Sequence, residues 1–262
     1  MMKKMFVTLP LVLSCMLGVA QELTKEQWDK KARPSKNDPA AMTFSTKTVL
    51  YSIATPYIPV DPAKKYRLSG KFRLVNPPAE KAGKLKFGIQ TYDKNKRPIQ
   101  PEHTTVINRT ATTLVAAAEY GQSSVTVADG KTWRIVPNFS YIAFNAKDDF
   151  SDLPNRSTVA ITAVKMQPDG KAVLELKEPL REFYAPGTKV RMHHRLAAFL
   201  YGGALNKVLS GEFQDISGEF TGEQRGFSHN AFRQGTAFIQ VVVMLEGNGT
   251  LEFKEVKFEE VL

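Results

Sequence analysis

The fold turns on the reading of TTLVAAAEYGQSSVTVADGKTWRI, residues 112–135. Ala116, Ala117 and Ala118 favour a helix, whereas Val125, Thr126 and Val127 are β-branched and favour a strand. Gly121 stands between the two tendencies and supplies a turn. We read the stretch as the start of a small β unit, with the alanines as a close-packed connection and Val125 and Val127 in its first strand. The second half of the unit runs from Val159 to Val190, where Asp169-Gly170 separates two strands and Pro186-Gly187 makes another turn. Residues 110–194 are then an inserted β domain that returns the chain close to where it left.

The flanks carry period-two alternation. In Tyr66–Val75, Leu68, Gly70, Phe72 and Leu74 point one way and Arg67, Ser69, Lys71 and Arg73 the other. Lys84–Tyr92 repeats this, with Leu85, Phe87, Ile89 and Thr91 opposed by Lys86, Gly88, Gln90 and Tyr92, and Asp93–Pro98 follows as a turn. Gly235–Leu245 is apolar on nearly both faces, as a covered central strand should be. Asn248-Gly249 signals a hairpin into Leu251–Val261, where a shift between Phe253 and Val256 suggests a bulge. Long helical periodicity is absent, so the expected class is all-β: a jelly-roll β-sandwich of residues 40–109 and 195–262, interrupted by the small inserted β domain.

Residues 1–20 combine a basic start at Lys3 and Lys4, an apolar run from Met5 to Leu17, and Gly18 and Ala20 near the end, the pattern of a secretory signal peptide. The expected location is secreted or periplasmic; the alternative reads Val12–Cys15 as a lipobox, with Cys15 acylated and the chain tethered to a membrane. Cys15 is the single cysteine, so the exported chain must be held by packing alone. Residues 21–39 are charged and sparse in apolar groups, which reads as a linker. The formal charge of +10 falls by two, to +8, when Lys3 and Lys4 leave, and this favours acidic polysaccharide or a cell surface as partner. Scattered basic residues argue against nucleic acid, and no later apolar run spans a bilayer.

The segments YIPVDPAKKYRLSGKFRLVNPP, KLKFGIQTYDKNKRPI and FRQGTAFIQVVVMLEGNGTLEFKEVKFEEV resemble carbohydrate-binding modules of the family 4/9 type, which are galactose-binding-domain-like jelly rolls. Phe213, in NKVLSGEFQDISGEFTG, stands where the family often has Trp. The family often holds a structural calcium through an Asp of its last strand, and here that neighbourhood reads Lys254-Glu255. The central stretch resembles a β unit of microbial surface and appendage proteins with the pattern T-x-L-x-A-A-x-x-G-x-x-x-V-x-V.

A sugar-binding sheet needs an aromatic ring against the apolar face of a pyranose and planar polar groups for its hydroxyls. Tyr92 is the candidate platform and Arg73, Gln90 and Lys71 the candidate polar contacts on strands expected to be neighbours, with a solvated sheet face as the competing reading; Trp133 is a second candidate platform, with core or interdomain packing as its competing reading. His193 and His194 are adjacent in a strand and point to opposite faces, so no metal ligand is assigned there. Asp148, Asp149 and Asp152 could offer oxygens to calcium, and no other cofactor is expected. There is no Gly-x-Ser-x-Gly elbow and no His-Glu-x-x-His helix. The expected function is a secreted, non-catalytic carbohydrate-binding protein; the alternatives are a structural or assembly protein with a cell-envelope partner and, third, a polysaccharide-degrading enzyme.

Overall fold

A computed structural model describes residues 20–75, 77 and 82–261. The signal peptide and the Cys15 lipobox therefore lie outside the described residues, apart from Ala20. The chain is all-β. Two antiparallel sheets stack face to face. In the first, the order is Gln214–Thr221, Lys65–Val75, Gly249–Val261, Met42–Thr46 and Arg33–Pro34, with Gln21–Glu22 also paired to Gly249–Val261. In the second, the order is Lys207–Val208, Lys84–Tyr92, Phe238–Glu246 and Val49–Ile53, with Ile58–Pro59 paired to Phe238–Glu246.

The alternation read from sequence is what joins these sheets. Leu68, Phe72 and Leu74 from the first, and Leu85, Phe87 and Ile89 from the second, are fully buried in one core. The Phe72 and Phe87 rings meet across it at 4.6 Å. The apolar strand Phe238–Glu246 is central in its sheet, between Lys84–Tyr92 and Val49–Ile53. Ile239, Val241, Val243 and Leu245 face the core, while Val242 on the opposite face is covered by Phe199 and Tyr201. The bulge is present as a register shift between Lys254 and Lys257, with Glu255 in the left-handed region at φ 53°.

Two expectations are corrected. Asn248-Gly249 does not close a hairpin, because Phe238–Glu246 and Gly249–Val261 belong to different sheets; the turn is an arch across the top of the sandwich. Gly247, at φ 109°, makes that arch, and a Cβ there would stand 3.0 Å from Gly83 Cα. Residues 21–39 are not a free linker. Leu23, Trp28 and Ala32 enter the main core, and the Trp28 ring meets Phe253 edge-on at 4.8 Å. A few well-placed apolar groups anchor a segment whose average composition is polar.

Residues 112–194 build a separate sheet in the order Thr112–Thr113, Lys189–His194, Ser140–Phe144, Thr158–Met166, Ala172–Leu176 and Ser124–Val127. Leu114 bridges Val127, and hydrogen bonds Val115 N to Thr126 O and Ala128 N to Thr113 O, both 2.9 Å, join the first strand to the last. The sheet closes into a small barrel, which removes its free edges. Its own core includes Leu114, Val127, Trp133, Phe144, Leu174 and Met192. Ala116–Tyr120 is extended or turning rather than helical, and Gly121, at φ 85°, turns the chain.

Candidate functional site

The sequence-derived site residues are divided by the sandwich. Lys71 and Arg73 alternate with the inward Phe72 and Leu74 and so lie on the outer face of the first sheet. Gln90 and Tyr92 alternate with inward Ile89 and lie on the outer face of the second. The two pairs occupy opposite sides of the molecule, and no single sugar can touch both. Period-two alternation assigns a face to each side chain but does not say which strands share a sheet.

On the first sheet, each candidate cation already has an anion. Arg73 donates through Nε and Nη2 to Glu252 Oε2 at 2.8 and 2.7 Å, and its guanidinium also lies 4.4 Å from the Phe213 ring centroid. Burial pushes the Glu252 carboxyl up, but hydrogen bonds from Ser35, Arg73 and Asn37 outweigh it and hold it below the usual carboxylate range. Lys254 covers Phe213 at 4.2 Å and pairs with Asp38. Lys71 bonds Glu255 at 2.8 Å on the surface. Trp133, the other expected platform, is 2 % exposed inside the barrel, where its Nε1 donates to Thr110 O at 3.0 Å. It packs a core and offers no face to a ligand.

On the second sheet, much of the outer face is sealed. Residues 197–205 run along the edge of Lys84–Tyr92, where Leu200 exchanges backbone hydrogen bonds with Ile89, and they turn Phe199 and Tyr201 onto the outer face against Val242. Gly88 does not open a space for ligand: a Cβ there would fall 1.9 Å from Leu200 O, so the chain's own backbone fills the site. Gln90 is buried, and its Nε2 donates to Thr91 O at 3.2 Å. Tyr92 is buried too; its hydroxyl, pushed up to about 12 by burial, stays protonated and donates to Gln240 Oε1 at 2.5 Å. Gln240 Nε2 then donates to Thr55 O at 3.0 Å. Tyr92 and Gln90 therefore support the face rather than contact solvent.

What this support holds up is Tyr57, which sequence reasoning passed over because it is a lone aromatic beside Pro56 in a connection. The Tyr57 ring is 37 % exposed and packs edge-on against Tyr92 at 4.9 Å and Phe238 at 6.5 Å. Lys96, held at φ 58° by the Asp93–Pro98 turn, brings its ammonium 5.1 Å from the Tyr57 centroid and 5.5 Å from Phe238. The turn is fixed by Asp93, whose Oδ1 accepts from the backbone N–H of Asn95 and Arg97, both at 2.9 Å. The result is an exposed ring on a rigid, hydrogen-bonded base with a cation at its rim.

His193 and the aspartates of the 148–152 cluster are engaged by the fold itself. His193 is wholly buried; its Nε2 accepts from Arg191 Nε at 2.9 Å, which leaves Nδ1 to donate to Glu102 O at 2.7 Å. Burial pushes His193 down to about 4, so the ring is neutral with both nitrogens engaged. Asp152 is used by Arg191 at 2.5 Å and by Asn155 Nδ2 at 2.8 Å. Asp148 pairs with Lys189, and Asp149 caps Ser151 N at 3.0 Å. Among the described residues no three or more His, Cys, Asp or Glu side chains cluster to hold a metal.

No protein-family model matches the chain, and no curated protein does. Among solved structures, it is similar at 10 % identity to the CBM22-1 xylan-binding domain of Paenibacillus barcinonensis Xyn10C, over 93 % of each chain, with a TM-score of 0.33. It is also similar at 10 % identity to the potassium-bound carbohydrate recognition domain of Emp46p, over 89 % of this chain and 88 % of that one, with a TM-score of 0.30. Both likenesses are too distant to bear on the ligand of this chain.

Proposed function

We propose that the protein is an exported, non-catalytic module that binds an acidic polysaccharide at the Tyr57 end of the second sheet. The carrying observation is the exposed Tyr57 ring, braced by Tyr92 and Phe238 and rimmed by Lys96. An aromatic ring stacks on the apolar face of a pyranose while a neighbouring ammonium meets a carboxylate or sulfate on the same sugar. Lys94 and Arg97 are also exposed in that turn and add to the positive field. The family 4/9 resemblance and the signal-like N-terminus support the same reading, as does the division into a sandwich of 21–109 and 195–262 carrying a barrel inserted at 110–194.

Affinity-gel electrophoresis in polygalacturonate, alginate and chondroitin sulfate tests it. Retardation is expected on at least one acidic gel, weakening with added salt, and Tyr57→Ala should lower the affinity about tenfold while Lys96→Ala should also lower it and flatten its salt dependence. A wild-type protein that no acidic gel retards, or a Tyr57→Ala protein retarded like wild type, rejects the site. A second reading, a cell-envelope assembly protein, is favoured by one observation: Tyr120 and Phe183 are 77 % and 58 % exposed on loops of the barrel that hydrogen-bond to one another. Concentration-dependent self-association lost in Tyr120→Ser/Phe183→Ser would favour it.

A further inference from the structure

The construction found at Tyr57 occurs a second time on the same face of the second sheet. Tyr51, from Val49–Ile53, points outward, is partly exposed, and meets the buried Phe199 ring edge-on at 5.3 Å, as Tyr57 meets Tyr92. Lys31 brings its ammonium 4.1 Å from the Tyr51 centroid, as Lys96 brings its own to Tyr57. This cation is rooted in the docked N-terminal arm, where Asp29 N donates to Ile53 O at 3.1 Å. Its one ion-pair partner among the described residues is Asp29, whose Oδ2 stands 4.0 Å away and whose Oδ1 accepts from Ser52 Oγ at 2.7 Å. The Lys31 side chain remains 44 % exposed. Two further lysines lie on the outer face at this end: Lys86 is paired with Glu246, and Lys84 is exposed.

Strand register sets the two rings apart. Tyr51 lies opposite Met244, whereas Tyr57 packs on Phe238, six residues earlier in the same strand, so about 20 Å of strand separates the two levels. Ile53, partly exposed, and Thr55, exposed, come between them, while Phe199 and Tyr201 sit to one side over Val242. A disaccharide is too short to reach from one ring to the other, and an octasaccharide is long enough. Two weak contacts on one chain reinforce each other, because the second forms within a complex already made. We infer that Tyr51 and Lys31 form a second subsite for the same acidic chain, which lies along Phe238–Glu246 and engages both rings at once. An acidic group on the sugar draws the Lys31 ammonium off the ring and bares the face on which the pyranose stacks. The inference rests on the proposed function and adds to it a minimum chain length.

The test is amide-shift mapping and calorimetric titration of isotopically labelled protein with disaccharides and octasaccharides prepared from polygalacturonate, alginate and chondroitin sulfate. In at least one series a single octasaccharide per protein should shift the amides of 29–31 and 51–53 together with those of 57 and 94–97. Tyr51→Ala should lower the octasaccharide affinity about tenfold and leave the disaccharide affinity read at the Tyr57 amides within about twofold of wild type, since a short chain never spans the two rings. Lys31→Glu, at an exposed position, should weaken the octasaccharide in the same way, and it carries the test if Tyr51→Ala, which removes the contact with Phe199, fails to fold. The second subsite is rejected, and the proposed function left standing, by an octasaccharide that shifts only the amides around Tyr57, that binds two to a protein, or that loses less than twofold in affinity in the folded variants. Shifts around Tyr51 alone, or at neither ring, reject both.

Discussion

At the scale of single residues, the junction is governed by histidines that must stay neutral. His193 accepts from Arg191, and His103 Nδ1 accepts from Gln100 N at 3.1 Å. Burial first, then neighbouring arginines in the case of His103, pushes each down to about 4. The unfolded chain therefore takes up these protons near pH 6.5 and the folded chain only near pH 4, so stability is full above about 6.5 and declines as pH falls toward 4. For His193 alone the loss is on the order of 3 kcal/mol across that window. Urea unfolding at pH 7.5 and pH 4.5 should show it, and His193→Gln should flatten the dependence. A profile level from pH 7.5 to 4.5 would contradict the buried, accepting histidine. Neither histidine's role is readable from its neighbours in sequence, since His103 and His193 are brought together only by the chain's departure into the barrel and its return.

The elements show why part of the site was legible and part was not. Alternation in Tyr66–Val75 and Lys84–Tyr92 identifies inward and outward side chains, because burial of Leu68, Phe72, Phe87 and Ile89 leaves no other arrangement. Sheet membership is decided by the connections, and so Arg73 and Gln90, alike in pattern, stand on opposite faces. Tyr57 escaped notice because a single ring in a loop has no period. The cover laid by residues 197–205 depends on Gly88, which permits a close approach that no alternation reveals. Gly88→Ala should lower stability by about 2–4 kcal/mol, since backbone and not a flexible side chain must move. A denaturation midpoint equal to wild type would show that residues 197–205 are not packed closely against Lys84–Tyr92.

On the scale of the whole molecule, the N-terminal segment acts as part of the sandwich. Trp28 is 7 % exposed against Phe253, and Leu23 N donates to Val256 O at 2.9 Å. Trp28→Ala should cost about 3–5 kcal/mol, measured by calorimetry, whereas a solvated linker would tolerate it within about 0.5 kcal/mol. The polar composition of residues 21–39 concealed this because three buried side chains suffice to dock an arm, and averages over the segment dilute them.

Gln21 pairs with Phe258 and Glu22 with Lys257, so the beginning and end of the sandwich lie side by side on neighbouring antiparallel strands. The order in which the chain visits its strands is thus not imposed by where its termini fall. A circular permutant that joins residue 261 to residue 20 through a linker of about five residues, and opens instead at the exposed turn of Gly121, should fold to the same two-sheet core. Far-ultraviolet and aromatic near-ultraviolet spectra matching the parent protein would establish it, and a permutant lacking the near-ultraviolet signal would show that the arm must dock while tethered only at its own end.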